Sequence, residues 1–210
     1  SDAASIAYTA NGLTITDFKV NSSAENHYDL MFSNREYDCS RTVNENIGVP
    51  VKFNHALSSI VFAASEQVDN KTYQIKNIEL IGDFKNKGSF CTNIVESTDA
   101  TPYTENSTPG WTDVDFIDVS SKTQTYIPEI TGGVYDVTGV PDEFTDGESA
   151  ILPIPQDVPT DAYVHLEYAV TTTLPGGGTV TDNYDNINIK LSDFIINGTT
   201  ETIKKWEMNK

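Results

Sequence analysis

The most constraining feature of this 210-residue sequence is its excess of β-branched side chains. Val, Ile and Thr together account for 59 residues, whereas Ala, Leu and Met together account for 22. β-Branched side chains lose rotamer freedom in a helix and pack well on a pleated sheet. No segment of about 12 or more residues shows the apolar period of an amphipathic helix. We therefore predict an all-β protein without long helices.

The clearest strands form a predicted hairpin near the carboxyl end of the chain. Apolar and polar residues alternate over 163–172, a Pro-Gly-Gly-Gly turn follows at 175–178, and residues 180–191 return the chain. A second hairpin is predicted around Asn11-Gly12. Many short strands separated by turn signals are typical of an antiparallel β-sandwich rather than an α/β fold.

Two central stretches change their apolar face midway. One alternating phase comprises Val49, Val51, Phe53, His55 and Leu57, and a second phase, after Ser58-Ser59, comprises Ile60 and Phe62. A shift of one residue turns every following side chain to the opposite face, so a bulge or strand break is expected at the serines. We expect residues 49–62 to lie in the core. Tyr73, Ile75, Ile78 and Leu80 form the next predicted strand, again with one shift. Residues 151–155 contain two prolines and are expected to form an extended edge segment.

The charge of the chain excludes several classes of partner. It carries 31 acidic and 13 basic residues, for a formal charge of −18. Nucleic-acid binding requires clustered Lys and Arg, and anionic membrane surfaces attract basic segments. In addition, no apolar run is long enough to span a bilayer. We predict neither nucleic-acid binding nor a transmembrane segment in this chain.

No residue pattern points to catalysis. His27, His55 and His165 lack metal-ligand spacing, and neither a nucleophile elbow nor a phosphate loop occurs. His55 is expected in the core or on a sheet face, and His165 on the exposed face of its strand. The sequence thus predicts a protein that is not an enzyme and has no catalytic residues, metal site or cofactor.

Acidic clusters and two cysteines leave alternatives open. The carboxylates at 113–118 and 142–148 are expected in solvated loops, with a glycosidase pair or a calcium site as alternatives. Cys39 and Cys91 could form one disulfide in an oxidising compartment, or remain two separate thiols.

Five segments, in order, resemble the fimbrillin superfamily of Bacteroidales, whose members are subunits of cell-surface fimbriae. Residues 49–62 carry the most specific match, because they resemble the family pattern Val-Pro-Leu-x-Phe-x-His-Ala-Leu-Ser-x-Ile-x-Phe. Shorter matches lie at residues 28–31, 75–82, 150–156 and 205–210. Each short motif is weak alone, but the ordered set is specific and covers residues 28–210.

The resemblance implies a transthyretin-like antiparallel β-sandwich and a structural or adhesive role. Family members are exported as lipoproteins to the outer membrane and cell surface. They polymerise with other subunits by donor-strand exchange, in which an extended segment of one subunit pairs with an open edge of the next. On this basis, residues 49–62 form the core and assembly motif, and the segment containing Trp206 and Met208 is expected to be an assembly strand.

The resemblance also implies a domain organisation. Family members carry a domain before the matching region and a strand after the last motif. We therefore expect residues 1–45 to end a preceding β domain or to form a linker. Residues 46–210 are expected to form the fimbrillin-like sandwich, with its final strand missing.

A second hypothesis is a surface lipoprotein domain that binds a glycan or another ligand. Sugars stack on exposed aromatic rings, and Tyr103, Trp111 and Tyr184 lie in predicted loop contexts. Host or bacterial surface receptors would then be partners.

Overall fold

The structure, a computed structural model of the chain, describes residues 4–9, 12–23, 26–33, 53–92, 109–130, 132–145, 150–196 and 199–208. Within these ranges the regular elements are β-strands and one short 3-10 turn, Leu191–Asp193. The first strands in chain order are β1 (Ser5–Thr9), β2 (Gly12–Lys19), β3 (Met31–Ser33), β4 (Phe53–His55), β5 (Ala63–Ala64), β6 (Lys71–Gly82) and β7 (Lys87–Cys91). The remaining strands are β8 (Gly110–Asp115), β9 (Gln124–Tyr126), β10 (Tyr135–Val137), β11 (Asp142–Glu143), β12 (Tyr163–Thr173) and β13 (Thr179–Lys190).

The strands form two main antiparallel sheets. The first has the order β1-β2-β7-β8. The second has the order β10-β6-β12-β13, and β9 pairs with β6 beyond the end of β10. Two small ribbons, β3-β4 and β5-β11, and four isolated bridges complete the pairing within the described residues. The predicted all-β antiparallel sandwich is therefore confirmed.

One apolar core draws side chains from both sheets. Phe18, Trp111 and Val114 of the first sheet pack against a cluster that includes Leu80 and Val164 of the second. The largest fully buried side chains include Tyr126, Phe84, Phe90, Leu80, Ile151 and Ile154. Complete burial of one such aliphatic or aromatic side chain contributes roughly 1.5–3 kcal/mol. Burial of these side chains is therefore a large stabilising contribution to the fold.

Both predicted hairpins are present. β12 and β13 pair from Tyr163↔Lys190 to Thr173↔Thr179. Gly176 and Gly177 at the tip have φ values of 114° and 91°, which side chains with a Cβ rarely adopt. β1 and β2 form the second hairpin.

The predicted shift in the strand around residue 75 is also confirmed. β6 pairs with β12 through Asn77↔Glu167 and then through Ile75↔Tyr168, so Lys76 is the extra residue of a bulge. The bulge lets Ile75 and Ile78 both point into the core, although they are three positions apart.

The prediction that His165 is exposed is wrong, because its side chain retains only 15% of its accessible surface. β12 lies between β6 and β13, where Glu79 and Asn188 stand directly opposite His165. The neighbouring strands therefore cover its ring, and Nδ1 lies 2.9 Å from the Asn188 side-chain oxygen.

The core prediction for residues 49–62 is correct in part. Leu57 is 2% exposed, and Ile60 and Phe62 pack against the core cluster. Phe53 is instead 60% exposed and His55 is also exposed, while Val49 and Val51 lie outside the described residues. The reason is that the even-numbered residues from Asn54 to Phe62 face inward throughout, so Phe53 and His55 lie on the outer face. Leu57 is buried as well because the chain bends at residues 56 and 57. Ala56 is fixed there because its N–H donates to Leu30 O and its carbonyl accepts from Trp111 Nε1.

Two further predictions concern segments rather than single residues. As expected, residues 151–155 are extended and, among the described residues, pair with another backbone segment on one side only, through Ser58 and Ile60, while the side chains of Ile151 and Ile154 are fully buried. The predicted division of the chain at residues 45 and 46 lies outside the described residues and stays a prediction. β2 and β7, on either side of that division, pair in the same sheet.

Candidate functional site

The first wall of the candidate site is the extended segment 58–62, which is hydrogen-bonded along one edge. Ser58 N–H donates to Pro153 O at 3.1 Å, and Ile60 exchanges two backbone hydrogen bonds with Ile151 at 2.9 and 3.0 Å. Successive residues of an extended chain direct their backbone groups to opposite edges. The N–H and C=O groups of Ser59 and Val61 therefore point away from residues 151–153.

The second wall, residues 203–207, has the same one-sided pairing. Val158 N–H donates to Lys204 O at 2.8 Å, and Trp206 N–H donates to Gln156 O at 2.9 Å. Lys205 stands opposite Asp157 between these two bonds. The backbone groups of Ile203 and Lys205 consequently point away from residues 156–158.

A groove of about 640 Å³ separates the two walls. Its lining includes Ser59 and Val61 from the first wall, and Ile203 and Lys205 from the second. At one end the walls meet, because Ser58 Oγ donates to the Glu207 carbonyl at 2.9 Å. Among the residues that the structure describes, these four make no backbone hydrogen bond. The groove is thus bordered on both sides by open strand edges.

Apolar side chains give the groove its floor and sides. The Trp206 ring stacks on Phe84, with centroids 5.0 Å apart and planes inclined by 27°. Phe84 has no exposed surface, so the indole is anchored directly to the core. Val61 and Ile196 contribute exposed apolar surface, at 36% and 43% of their accessible area.

This combination of features suits an extended peptide. Backbone edges can hydrogen-bond to an inserted strand, and apolar pockets can receive every second side chain of that strand. Natural proteins commonly cover or charge their strand edges; the second wall carries Lys204, Lys205 and Glu207, whereas the first wall has no charged side chain. The geometry therefore favours strand addition over small-molecule chemistry at this site.

The structure places the predicted assembly residues as follows. Trp206 lines the groove as part of the second wall, and Met208 is half-buried just beyond it. Leu57 lies in the core and Ile60 lines the groove, whereas Phe53 and His55 belong to the β3-β4 ribbon. Whether these residues act in assembly stays a prediction.

The candidate disulfide lies outside the described residues, because Cys39 is not among them. Cys91 ends β7, where its Sγ accepts a weak hydrogen bond from Thr14 Oγ1 at 3.5 Å.

The histidines have separate environments. His55 Nδ1 lies 2.7 Å from Asp29 Oδ2 on the surface, His165 lies on β12, and His27 is half-buried beside Tyr126. In the described part of the chain, no group of three or more His, Cys, Asp or Glu side chains could hold a metal ion.

The acidic clusters are dispersed over different elements. Asp113 and Asp115 lie on β8, and Asp142 and Glu143 form β11. Asp146 and Glu148 lie outside the described residues.

The predicted glycan-stacking residues are not grouped. Trp111 is not in a loop but in β8, where its ring packs on Phe18 and Phe90 and its Nε1 donates to Ala56 O at 2.7 Å. Tyr184 is 39% exposed on β13 and stacks on Tyr168. Tyr103 lies outside the described residues. The proposed role of Trp111 as an exposed platform is therefore wrong.

Sequence reasoning missed most of the second wall and the open edge of the first. The apolar pair Ile195-Ile196 followed by Asn197-Gly198 is a hairpin signal, and Ile195 does pair with Thr202. The pairing of residues 204–206 with 156–158 has no local signal, because the two segments are about fifty residues apart.

No helix in the described part of the chain has the length and hydropathy needed to cross a bilayer.

Comparison with known proteins yields one structural likeness. No protein-family model and no curated protein matches the chain. The crystal structure of a fimbrial protein from Bacteroides vulgatus superposes on 98% of this chain, with a TM-score of 0.53 and 16% sequence identity. The chain spans 64% of the length of that protein. At this identity the likeness shows a shared fold.

Proposed function

We propose that this protein is a structural or adhesive subunit of a bacterial cell-surface fimbria, and that it belongs to the fimbrillin superfamily. The observation that carries the proposal is the groove, whose two walls present backbone groups that pair with no other described residue, around an apolar floor. A neighbouring subunit donates an extended segment to this groove, in the manner of donor-strand exchange.

Two independent observations support the role. The ordered sequence motifs resemble fimbrial subunits, and two of them supply groove residues: 49–62 contains the first wall, and 205–210 contains part of the second. The fold is shared with a solved fimbrial protein. Partners are other fimbrial subunits, in a homopolymer or a heteropolymer, at the outer surface of the cell after export as a lipoprotein precursor.

The proposal is tested by placing a charge in the groove. Val61→Asp introduces a carboxylate onto the apolar wall, where an inserted strand would bury it without a partner. Val180→Asp is the matched control, since Val180 is similarly exposed but lies on β13, away from the groove. Assembly is measured by analytical ultracentrifugation and electron microscopy, with purified fimbrial subunits of the same cells added as donors.

We expect the wild-type chain and Val180→Asp to enter polymers, and Val61→Asp to remain monomeric while keeping its melting temperature. Equal incorporation of both variants would contradict strand binding in this groove. Failure of the wild-type chain to associate with any subunit would contradict the fimbrial role itself.

A further inference from the structure

His27 joins two segments through both nitrogens of its ring. Leu152 N–H donates to Nδ1 at 2.9 Å, and Nε2 lies 2.6 Å from the Asn21 carbonyl oxygen. A backbone N–H can only donate, so Nδ1 must carry a lone pair, and the proton must lie on Nε2 to serve the carbonyl. Both bonds are made together only by the neutral ring in this tautomer.

The segment that His27 holds is the support of the first wall. Leu152 bonds to His27, while its neighbours Ile151 and Pro153 bond in the opposite direction to Ile60 and Ser58. Residues 151–153 therefore lie between the imidazole and the first wall. A change at Nδ1 therefore acts directly on residues 151–153 and, through their hydrogen bonds to Ile60 and Ser58, on the first wall.

The surroundings of the ring favour its neutral form. Burial lowers the pKa of His27, and hydrogen bonds with the backbone of Asn21 and Ala150 oppose that shift. Tyr126 of β9 faces the ring edge-on at 5.9 Å, and burial raises the pKa of its hydroxyl, so it stays neutral. On the same segment as His27, Tyr28 and Asp29 are exposed, and Asp29 pairs with His55. Among the described residues, no carboxylate is positioned to stabilise a charged His27.

We propose that His27 is an acid-sensitive clamp: its neutral ring holds residues 151–153 against the first wall, and its protonation releases them. A proton on Nδ1 would point at the Leu152 N–H, so that hydrogen bond is lost when the ring becomes charged. The consequence for donor-strand binding, namely weaker binding in acid because the first wall is less firmly held, rests on the proposed function. The clamp between His27 and residues 151–153 is independent of that function.

The sign of the pH dependence follows from the lowered pKa. A histidine whose folded pKa lies below its ordinary value of 6.5 contributes stability that is present above 6.5 and lost as the pH falls toward the folded pKa. Within that window, the equilibrium constant for opening of residues 151–153 increases by up to about tenfold for each pH unit that the pH falls.

The test is amide hydrogen exchange, measured by NMR on the monomeric full chain between pH 7.5 and 5. Protection factors of Leu152 and Ile60 are compared in the wild-type chain, His27→Asn and His55→Asn. The amide side chain introduced by His27→Asn can accept from Leu152 N–H but does not titrate, and His55 is an exposed histidine away from this segment. The wild-type His27 ring protons are followed in the same titration, which keeps the test valid if the variant folds poorly.

We expect the protection of both amides to fall in acid in the wild-type chain and in His55→Asn, and to stay constant in His27→Asn. We also expect His27 to titrate below 6.5. Three results would overturn the clamp: protection factors in the wild-type chain that do not change with pH, an equal fall of these protection factors in His27→Asn at acid pH, or titration of His27 above 6.5. Because no donor strand is present, the result is independent of whether the chain assembles into fimbriae.

Discussion

Gly82, the last residue of β6, offers the sharpest test of core packing next to the groove. A Cβ at this position would lie 2.8 Å from Ala162 Cβ, 2.9 Å from Ala162 Cα and 3.2 Å from Phe84 Cε2. Ala162 cannot easily retreat, because its N–H donates to Pro159 O and its carbonyl accepts from Leu191 N–H. The substitution Gly82→Ala must therefore displace backbone.

The expected cost follows from two opposing effects. Overpacking of a tight core costs about 1–3 kcal/mol, whereas replacing Gly by Ala lowers the entropy of the unfolded chain and stabilises by about 0.4–1 kcal/mol. Taking the middle of each range, the net loss for Gly82→Ala is about 1.3 kcal/mol, which for a chain of this size lowers the Tm by about 3–5 °C.

Gly178→Ala is the matched control, since a Cβ there meets nothing within 4 Å. Its Tm should equal that of the wild-type chain or exceed it by up to about 4 °C. Differential scanning calorimetry of the three proteins measures both effects. A Gly82→Ala variant as stable as Gly178→Ala would refute the close approach of β6 to Ala162.

Three further predictions concern single side chains. Trp206→Ala should lower the free energy of unfolding by about 1–3 kcal/mol in urea titrations, because the half-buried indole stacks on Phe84, and Trp206→Phe should restore most of the loss. The pKa of His165 is raised, mainly by its hydrogen bond with Asn188. Protonated His165 therefore stabilises the folded chain at a pH below 6.5, and this contribution to the free energy of unfolding is lost as the pH rises through the folded pKa. The stability difference between the wild-type chain and His165→Gln should therefore be larger at pH 5.5 than at pH 8, and a larger difference at pH 8 would contradict this assignment. Trp111→Ala should destabilise the chain by about 2–4 kcal/mol in the same urea titrations, because its partly buried ring packs against the core, and a loss of glycan binding at unchanged stability would argue against that packing.

Features with a local signal were predictable from the sequence. The Pro-Gly-Gly-Gly turn fixes the β12-β13 hairpin, and the three-residue spacing of Ile75 and Ile78 indicates the bulge at Lys76. Both depend on side-chain alternation and on glycine at positive φ, which short stretches of sequence encode completely.

Features that depend on distant pairing were not predictable. Phe53 has the alternation of a core strand, yet it lies in a two-stranded ribbon with one face in solvent. Trp111 follows a stretch rich in Pro and Thr that indicates a loop, but it lies in a strand and its indole N–H donates to the carbonyl of Ala56, which is distant in the sequence. The groove itself arises where segments 58–62 and 203–207 each pair on one edge, and no local pattern marks an edge as unpaired.

The central claim is that the open edges of the groove receive a strand from another subunit. Amide hydrogen exchange of the chain before and after assembly with fimbrial subunits tests it most directly. The amides of Ser59, Val61, Ile203 and Lys205 should exchange rapidly in the monomer and become protected in the polymer, while Ile60, already bonded to Ile151, stays protected in both. Assembled protein in which these four amides still exchange as rapidly as in the monomer would contradict the account.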